Sequence, residues 1–362
     1  MQLDTPALLI DLDRVEANLQ RGAAIAAAAG VALRPHTKTH KSPYFARLQL
    51  GHGARGLTVA KLGEAEVMAS AGLDDLFVAN TIYGDEKARR LRQLAERVTL
   101  TVGVDHLEQA RQLSAAMAGL DRPLGVLIEV DTGAHRGGVH PNEAGALARA
   151  AAALPGLAIR GVYHYEGYTY SAPDREALAA VQREGQAALV RAGQAVGAAL
   201  GITPVISAGS TPGLLSGAGY LPGITEIRPG TYIFLDGAQA ALAGGVELCA
   251  AHVLATVVSL PGPGRAVLDV GSKALTSDVR GFGVCKTEGY GLLPDQGLVL
   301  RRLSEEHGVI EGEGVDRLRV GQQVRVLPNH ICPVVNLFDE LVLVRGGEVV
   351  DVLAVAARGR LR

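Results

Sequence analysis

The sequence predicts an α/β protein: a parallel (β/α)8 barrel of the TIM type, followed by a C-terminal, mostly antiparallel β domain. Two features of the 362-residue chain lead there. Between residue 31 and about residue 235, short β-type runs alternate with Ala-rich helical segments, the serial pattern of a parallel barrel. After about residue 240 the helices give way to strand-type runs separated by Gly and Pro turns. The expected division is a barrel over 1–240 and a β domain over 241–362, with an open doubly wound sheet as the alternative architecture.

The barrel strands read, in order, VALR (31–34), GLTV (56–59), DLFVA (75–79), VTLTVGV (98–104), PLGVLIEV (123–130), LAIRGVYH (157–164), TPVIS (203–207) and ITEIR (224–228). Helix signals fall between most of them. Ser42 followed by Pro43 is an N-cap and a first-turn residue, and the stretches 64–71, 85–97, 106–120, 141–154 and 173–201 are helical in texture. A further helix opens at DRVE, where Asp13 and Glu16 have the spacing of a capping box. In the last third AHVLATVVSL, GRAVLDVG, QQVRVLP and DELVLVRGGEVVDVLAV are strands, and RGGE is a hairpin turn.

Composition narrows the function classes. The 35 Lys and Arg nearly balance the 37 Asp and Glu, which argues against a protein devoted to nucleic acid or an anionic membrane. No apolar run reaches the roughly 18 residues of a membrane span, and the start lacks the layout of a secretory signal, so a cytoplasmic protein is expected. Three scattered cysteines, Cys249, Cys285 and Cys332, do not make a disulfide framework.

In a parallel barrel, reactive groups sit on the loops leaving the carboxyl ends of the strands. Those positions here hold Lys38 and His40, Asn80, Asp131 and Arg136, Tyr163 through Tyr168, SAGSTPG (207–213) and RPGTY (228–232). RPHTKTHK crowds Arg34, His36, Lys38, His40 and Lys41 together, and a lysine among such neighbours is expected to be uncharged more often and so more nucleophilic. SAGSTPG offers hydroxyls and backbone N–H groups of the kind that cradle a phosphate, and Gly230 and Thr231 add two more amides. Arg136, in the Gly-rich EVDTGAHRGGV, either binds an anionic oxygen or pairs with Glu129 or Asp131. A lysine, a phosphate cradle and an arginine on one rim describe a pyridoxal phosphate site.

RPHTKTHK, EVDTGAHRGGV, GVYHYEGYTY, SAGSTPG, TEIRPGTYIFLD and PNHICPVVNLFDE run in one order nearly end to end. In these motifs the chain resembles the D-threonine aldolase and eukaryotic-type D-serine dehydratase family, fold-type III pyridoxal phosphate enzymes distantly related to alanine racemase. The resemblance implies that Lys38 is the Schiff-base lysine, that Arg136 approaches the phenolic oxygen of the cofactor, and that Tyr165 lies in its pocket. It implies Ser210, Thr211, Gly230 and Thr231 as phosphate binders, and an arginine, Arg228, directed at the pyridine nitrogen.

In NHIC, His330 and Cys332 are two residues apart, and if the stretch is extended both project to one face and can meet one ion. The resemblance places a metal pair here: His and Asp with manganese or a related ion in the aldolases, His and Cys with zinc in the dehydratases. Cys332 therefore points to zinc. Asp339 and Glu340 are expected to form a turn or a surface pair.

The implied substrate is a D-amino acid with a 3-hydroxyl group. Lys38 removing the α proton leads to dehydration, whereas a metal-activated water or a side-chain base such as His40 taking the hydroxyl proton leads to aldol cleavage into glycine and an aldehyde. Overall resemblance favours D-threonine aldolase and Cys332 favours the dehydratase. Racemase or hydroxyaspartate-specific activity, or a non-catalytic cofactor-binding protein, are remoter alternatives. A homodimer is expected from the resemblance.

Overall fold

The computed structural model describes residues 3–362. The chain divides into two compact units. One contains Gly22–Lys38, Ser42–Gly230 and Gly359–Arg362; the other contains the residues up to Arg21, Thr39–Lys41 and Thr231–Arg358.

The first unit is a sheet of eight strands that pair in parallel. In spatial order they are Ala32–Leu33, Glu226–Ile227, Val205–Ala208, Leu157–Tyr163, Leu124–Glu129, Thr99–Val104, Asp75–Thr81 and Leu57–Val59. A parallel bridge from His36 to Thr58 joins the two ends, with Thr58 N–H donating to Pro35 O at 2.8 Å and Arg55 N–H to Leu33 O at 2.8 Å. All eight expected runs are strands, though the first and last hold only two laddered residues each. Helices cover the outside, so both faces are buried and strands read as continuous apolar runs: every residue of Leu124–Glu129 is buried.

The helices follow their sequence signals. Ser42 caps Pro43–Gly51 by accepting from Tyr44 N–H at 3.3 Å. His106 caps Leu107–Met117. Asp174 caps Arg175–Leu200, which ends on Gly201 at φ 67°. One helix start is corrected. Leu12–Ala28 is capped by Asp11, whose Oδ1 accepts from Asp13 N–H at 3.0 Å and Arg14 N–H at 3.1 Å, so Asp13 lies inside the first turn. Asp11 ends a strand, and a carboxylate at that bend reaches the first free amides before Asp13 does.

The second unit is built on a nine-stranded sheet in the order Arg265–Leu268, Gly308–Glu311, Leu298–Leu303, Gly291–Leu293, Gln323–Pro328, Ala251–Gly262, Ala7–Asp11, Glu340–Arg345, Glu348–Ala354. Arg265–Leu268 pairs also with Ala251–Gly262, curling the sheet on itself. Pairing is antiparallel except between Ala7–Asp11 and Glu340–Arg345. The RGGE turn forms as expected: Arg345 pairs with Glu348, and Gly346 and Gly347 have φ of 57° and 84°, the left-handed pair of a tight hairpin turn. ALLID near the N-terminus is a central strand of this sheet, which no local sequence signal announced. No helix among the described residues is long and apolar enough to cross a membrane.

Candidate active site

Lys38 sits in a 3-10 turn, Thr37–Thr39, just beyond the strand Ala32–Leu33. Its Nζ is half-buried, lies 5.8 Å from the centroid of the Tyr165 ring, and has no hydrogen-bond or ion-pair partner among the described residues. Its cationic neighbours in sequence are engaged by other groups. Arg34 turns back along the barrel to Glu226 (Nε to Oε2, 2.7 Å) and Asp75 (Nη1 to Oδ1, 2.8 Å). Burial works against the Arg34 charge, but the two carboxylates outweigh it and hold its pKa above the ordinary value. His40 and Lys41 belong to the other unit: His40 is fully buried with its ring edge-on to Phe234, and Lys41 Nζ donates to Ala357 O at 3.5 Å. Only His36 stays close, its Nδ1 accepting from Lys38 N–H at 3.4 Å.

Arg136 stacks on the same Tyr165 ring, with its guanidinium carbon 4.6 Å from the centroid, and its Nη2 is 4.0 Å from Glu129 Oε1. The pairing with Glu129 is therefore present, alongside a stacking contact with Tyr165. Its loop is fixed by Asp131, whose Oδ1 accepts from Gly133 and His135 N–H, and by Gly138 N–H donating to Asp105 Oδ2. Glu129 is buried and accepts the Tyr163 hydroxyl at 2.8 Å; burial raises its pKa although that hydrogen bond and Arg136 oppose the rise. Tyr163 reaches Glu129 across Gly103, where any β-carbon would occupy the position of the phenol oxygen.

Ser210 caps the short helix Thr211–Leu215, its Oγ accepting from Gly213 N–H at 2.9 Å. Thr211 is buried and its Oγ1 has no hydrogen-bond partner among the described residues, an orphaned donor of the kind a phosphate oxygen satisfies. Arg228 is buried, donating from Nη1 to Ser207 Oγ and from Nη2 to His164 O, both at 2.5 Å, and its guanidinium lies over the Tyr163 and Phe77 rings. Ser207 in turn donates to Glu226 Oε1 at 2.6 Å, linking Arg228 to the Arg34 cluster. Gly230 ends this unit's portion of RPGTY.

In the second unit His330 is not on a strand, which corrects the expected extended geometry. It is the N-cap of the helix Ile331–Leu337, with φ −143° and ψ 102°, and Cys332 lies in the first turn. The cap still brings the two together, with a hydrogen bond between their side chains. His330 Nδ1 is 2.8 Å from Asp278 Oδ2, which leaves Nε2 as the ring nitrogen not engaged by that carboxylate. Cys332 Sγ is 3.2 Å from Thr39 Oγ1 and 3.5 Å from Thr231 Oγ1. Burial opposes the charge on His330, but Cys332, Asp236 and Asp278 push its pKa up to about 9. No cluster of three or more His, Cys, Asp or Glu suited to a metal occurs among the described residues; His330 and Cys332 bring one imidazole and one thiol together. That donor set fits zinc. Asp339 forms the expected surface pair, with Arg358 at 2.9 Å.

Four participants were missed in the sequence: Asp278, Thr39, His164 and Glu166. His164 and Glu166 lie inside the quoted GVYHYEGYTY, where their alternation with tyrosines at a strand end was the available signal. Asp278 is 52 residues from His330 and carries no signal.

Residues 10–237 match the family described as "Alanine racemase, N-terminal domain", and residues 250–344 match "Putative serine dehydratase domain". The chain is 35% identical over 365 residues to a D-threonine aldolase of Arthrobacter sp, covering 99% of this chain and 93% of that protein. It is 35% identical over 354 residues to a D-threo-3-hydroxyaspartate dehydratase of Delftia sp., covering 92% of each. A solved structure of a cysteine-to-alanine mutant of D-threo-3-hydroxyaspartate dehydratase, in a metal-free form, superposes with a TM-score of 0.89 at 33% identity, covering 98% of this chain and 97% of that one.

Proposed function

Since the chain belongs to the alanine racemase-like family that includes the D-threonine aldolases and D-3-hydroxyaspartate dehydratases, we propose that it is a pyridoxal phosphate-dependent lyase of D-3-hydroxy amino acids, and first of all a D-threonine aldolase. The observation that carries this reading is the Lys38 amine, without a polar partner among the described residues, beside an aromatic ring on which Arg136 also stacks. When bound, the cofactor supplies an aldehyde for the amines of lysine and substrate and a ring that delocalises negative charge. The residues supply the rest. Lys38 holds the cofactor through Nζ and moves a proton there. Tyr165 and Arg136 form one wall. Ser210, Thr211, Gly230 and Thr231 take the phosphate, the orphaned Thr211 hydroxyl being the clearest support.

Arg228 keeps its charge in place through Ser207 and the His164 carbonyl, and on this reading faces the pyridine nitrogen. A fixed cation there would disfavour protonation of that nitrogen and would weaken the ring as an electron sink. His330 and Cys332 would hold a divalent ion, which would supply Lewis-acid chemistry toward a hydroxyl group when bound. His40, next in sequence to Thr39, is assigned as the base for the hydroxyl proton. The thiol ligand favours zinc over manganese.

Cys332 is also the specific observation behind the second reading, a zinc-dependent dehydratase in which Lys38 takes the α proton and hydroxide leaves. Incubation with D-threonine under zinc or manganese decides: glycine plus acetaldehyde supports the aldolase, 2-oxobutanoate the dehydratase, and no turnover of any D-3-hydroxy amino acid ends both. We place the enzyme in the cytoplasm as a homodimer; three free thiols among its described residues suit a reducing compartment.

A further inference from the structure

Glu166 is fully buried at the end of the strand Leu157–Tyr163, directly behind Ser210. Its backbone N–H is tied to Gly209 O at 3.2 Å, and its carboxylate is within hydrogen-bond distance of Ser210 and Gln186. Ser210 Oγ donates to Glu166 Oε2 at 3.1 Å and accepts from Gly213 N–H at 2.9 Å. Gly213 has to be glycine here, since a β-carbon would collide with the same carboxylate oxygen. A carboxylate behind a hydroxyl proposed to bind phosphate is an electrostatic conflict, and the hydrogens show how it resolves. Ser210 has a single hydrogen, and the nearby Thr169 has already committed its own to Glu166 O at 2.6 Å. If the Ser210 hydrogen stays on the carboxylate, none is left for a phosphate oxygen.

We infer that Glu166 takes up a proton from solvent when the cofactor phosphate settles on Ser210 and Thr211, so that Oε2–H donates to Ser210 Oγ and the Ser210 hydrogen turns to the phosphate. The inference rests on the cofactor reading above. Glu166 is then a positioning residue that couples cofactor binding to pH. The groups facing it make neutralisation the natural outcome. Gln186 Nε2 lies 3.5 Å and His164 Nε2 3.8 Å from Oε1. Gln182 is spent on Gly213 O, and Tyr168 and Tyr220 are phenols near the carboxylate. His164 is held neutral by burial and by Arg228, its pKa pushed down to about 3. Arg228 is the one cation whose charge favours the ionised carboxylate, and its terminal nitrogens are bound elsewhere. Burial lifts the Glu166 pKa to about 7, against Ser210, Gln186 and Arg228, and an arriving dianion lifts it further.

The sign follows. Above about pH 7 the free protein carries an ionised Glu166, and binding has to take a proton from increasingly dilute supply, weakening by about tenfold per pH unit. The full chain, freed of cofactor, is titrated with pyridoxal phosphate at pH 6.5 and 8.5, wild type beside Glu166→Gln, whose amide donates permanently to Ser210. Effects of pH on the ring and on lysine cancel in the ratio of the two dissociation constants. That ratio, wild type over variant, should rise at least about tenfold between the two pH values. A ratio that stays constant, with the bound cofactor still yellow, overturns the coupling and leaves the cofactor reading intact; no binding by wild type at either pH sinks both. Should the variant not fold, calorimetry of wild type at pH 8 in buffers of different ionisation heat compares pyridoxal phosphate with pyridoxal. About one extra proton taken up with the phosphate ester supports the coupling, and equal uptake refutes it.

Discussion

Arg228 in the first unit and His330 in the second are both cation-forming side chains, and their surroundings differ sharply. Arg228 is enclosed in a continuous network, from the His164 carbonyl through Ser207 to Glu226, Arg34 and Asp75. The His330 side chain is one-third exposed and is held on one side by Asp278, with Asn329 Nδ2 pinning that segment to Asp278 O and Gly289 O at 2.9 Å each. A group that must stay fixed under a rigid cofactor benefits from a buried, fully satisfied network. A metal pair that admits an ion, water and substrate needs open coordination positions and support from behind. The contrast predicts that damage to the barrel site shows in cofactor retention or fold stability, and damage to the second site in metal affinity and metal-dependent turnover with the cofactor spectrum unchanged.

The largest effect should come from Lys38→Ala, which removes the amine itself: activity is lost and the absorbance near roughly 420 nm disappears, while circular dichroism stays native. Cys332→Ala should keep that absorbance and lose metal-dependent turnover by about 100-fold or more. Full activity of this variant in chelator would show that the metal assignment is wrong. Glu226→Ala leaves Arg34 and Ser207 without their shared carboxylate in a buried position, and denaturant unfolding should register a loss of about 3–5 kcal/mol with metal affinity unchanged. Asp278→Asn should have the mildest consequence, about a tenfold weaker metal affinity by competition with a chromogenic chelator, at unchanged stability and cofactor spectrum. If instead the cofactor absorbance moved with Asp278→Asn, the proposed independence of the two sites would fail.

Much of this was legible in the residues. The eight β/α repeats were readable because a strand buried on both faces and an Ala-rich helix differ in texture over windows of five to fifteen residues. That Lys38, Tyr165, Arg136 and Ser210 lie near strand ends was readable from the strand boundaries, while the roles proposed for them came from the family resemblance. What failed was inference about neighbours. RPHTKTHK looked like a cluster because its charges are adjacent in sequence, yet the turn at Thr37–Thr39 sends Arg34 to Glu226 and Asp75, and His40 and Lys41 into the other unit. NHIC was expected to be extended, and the pair meets through a helix cap instead.

Local pattern was enough for the class of each segment, the tight turn at Gly346 and Gly347, the helix cap at Ser42 and the set of chemically able side chains, since these depend on residues within about four positions of one another. Long-range packing was needed for the rest. Ala7–Asp11 becomes a central strand only because Ala251–Gly262 and Glu340–Arg345, more than 200 residues away, leave a ladder for it to fill. Asp278 meets His330, and Glu166 meets Ser210, across 52 and 44 residues. Hydrogen bonds and burial act over a few ångströms of space whatever the separation along the chain, so partner choice, and with it the protonation state of a buried acid, waits on the folded molecule.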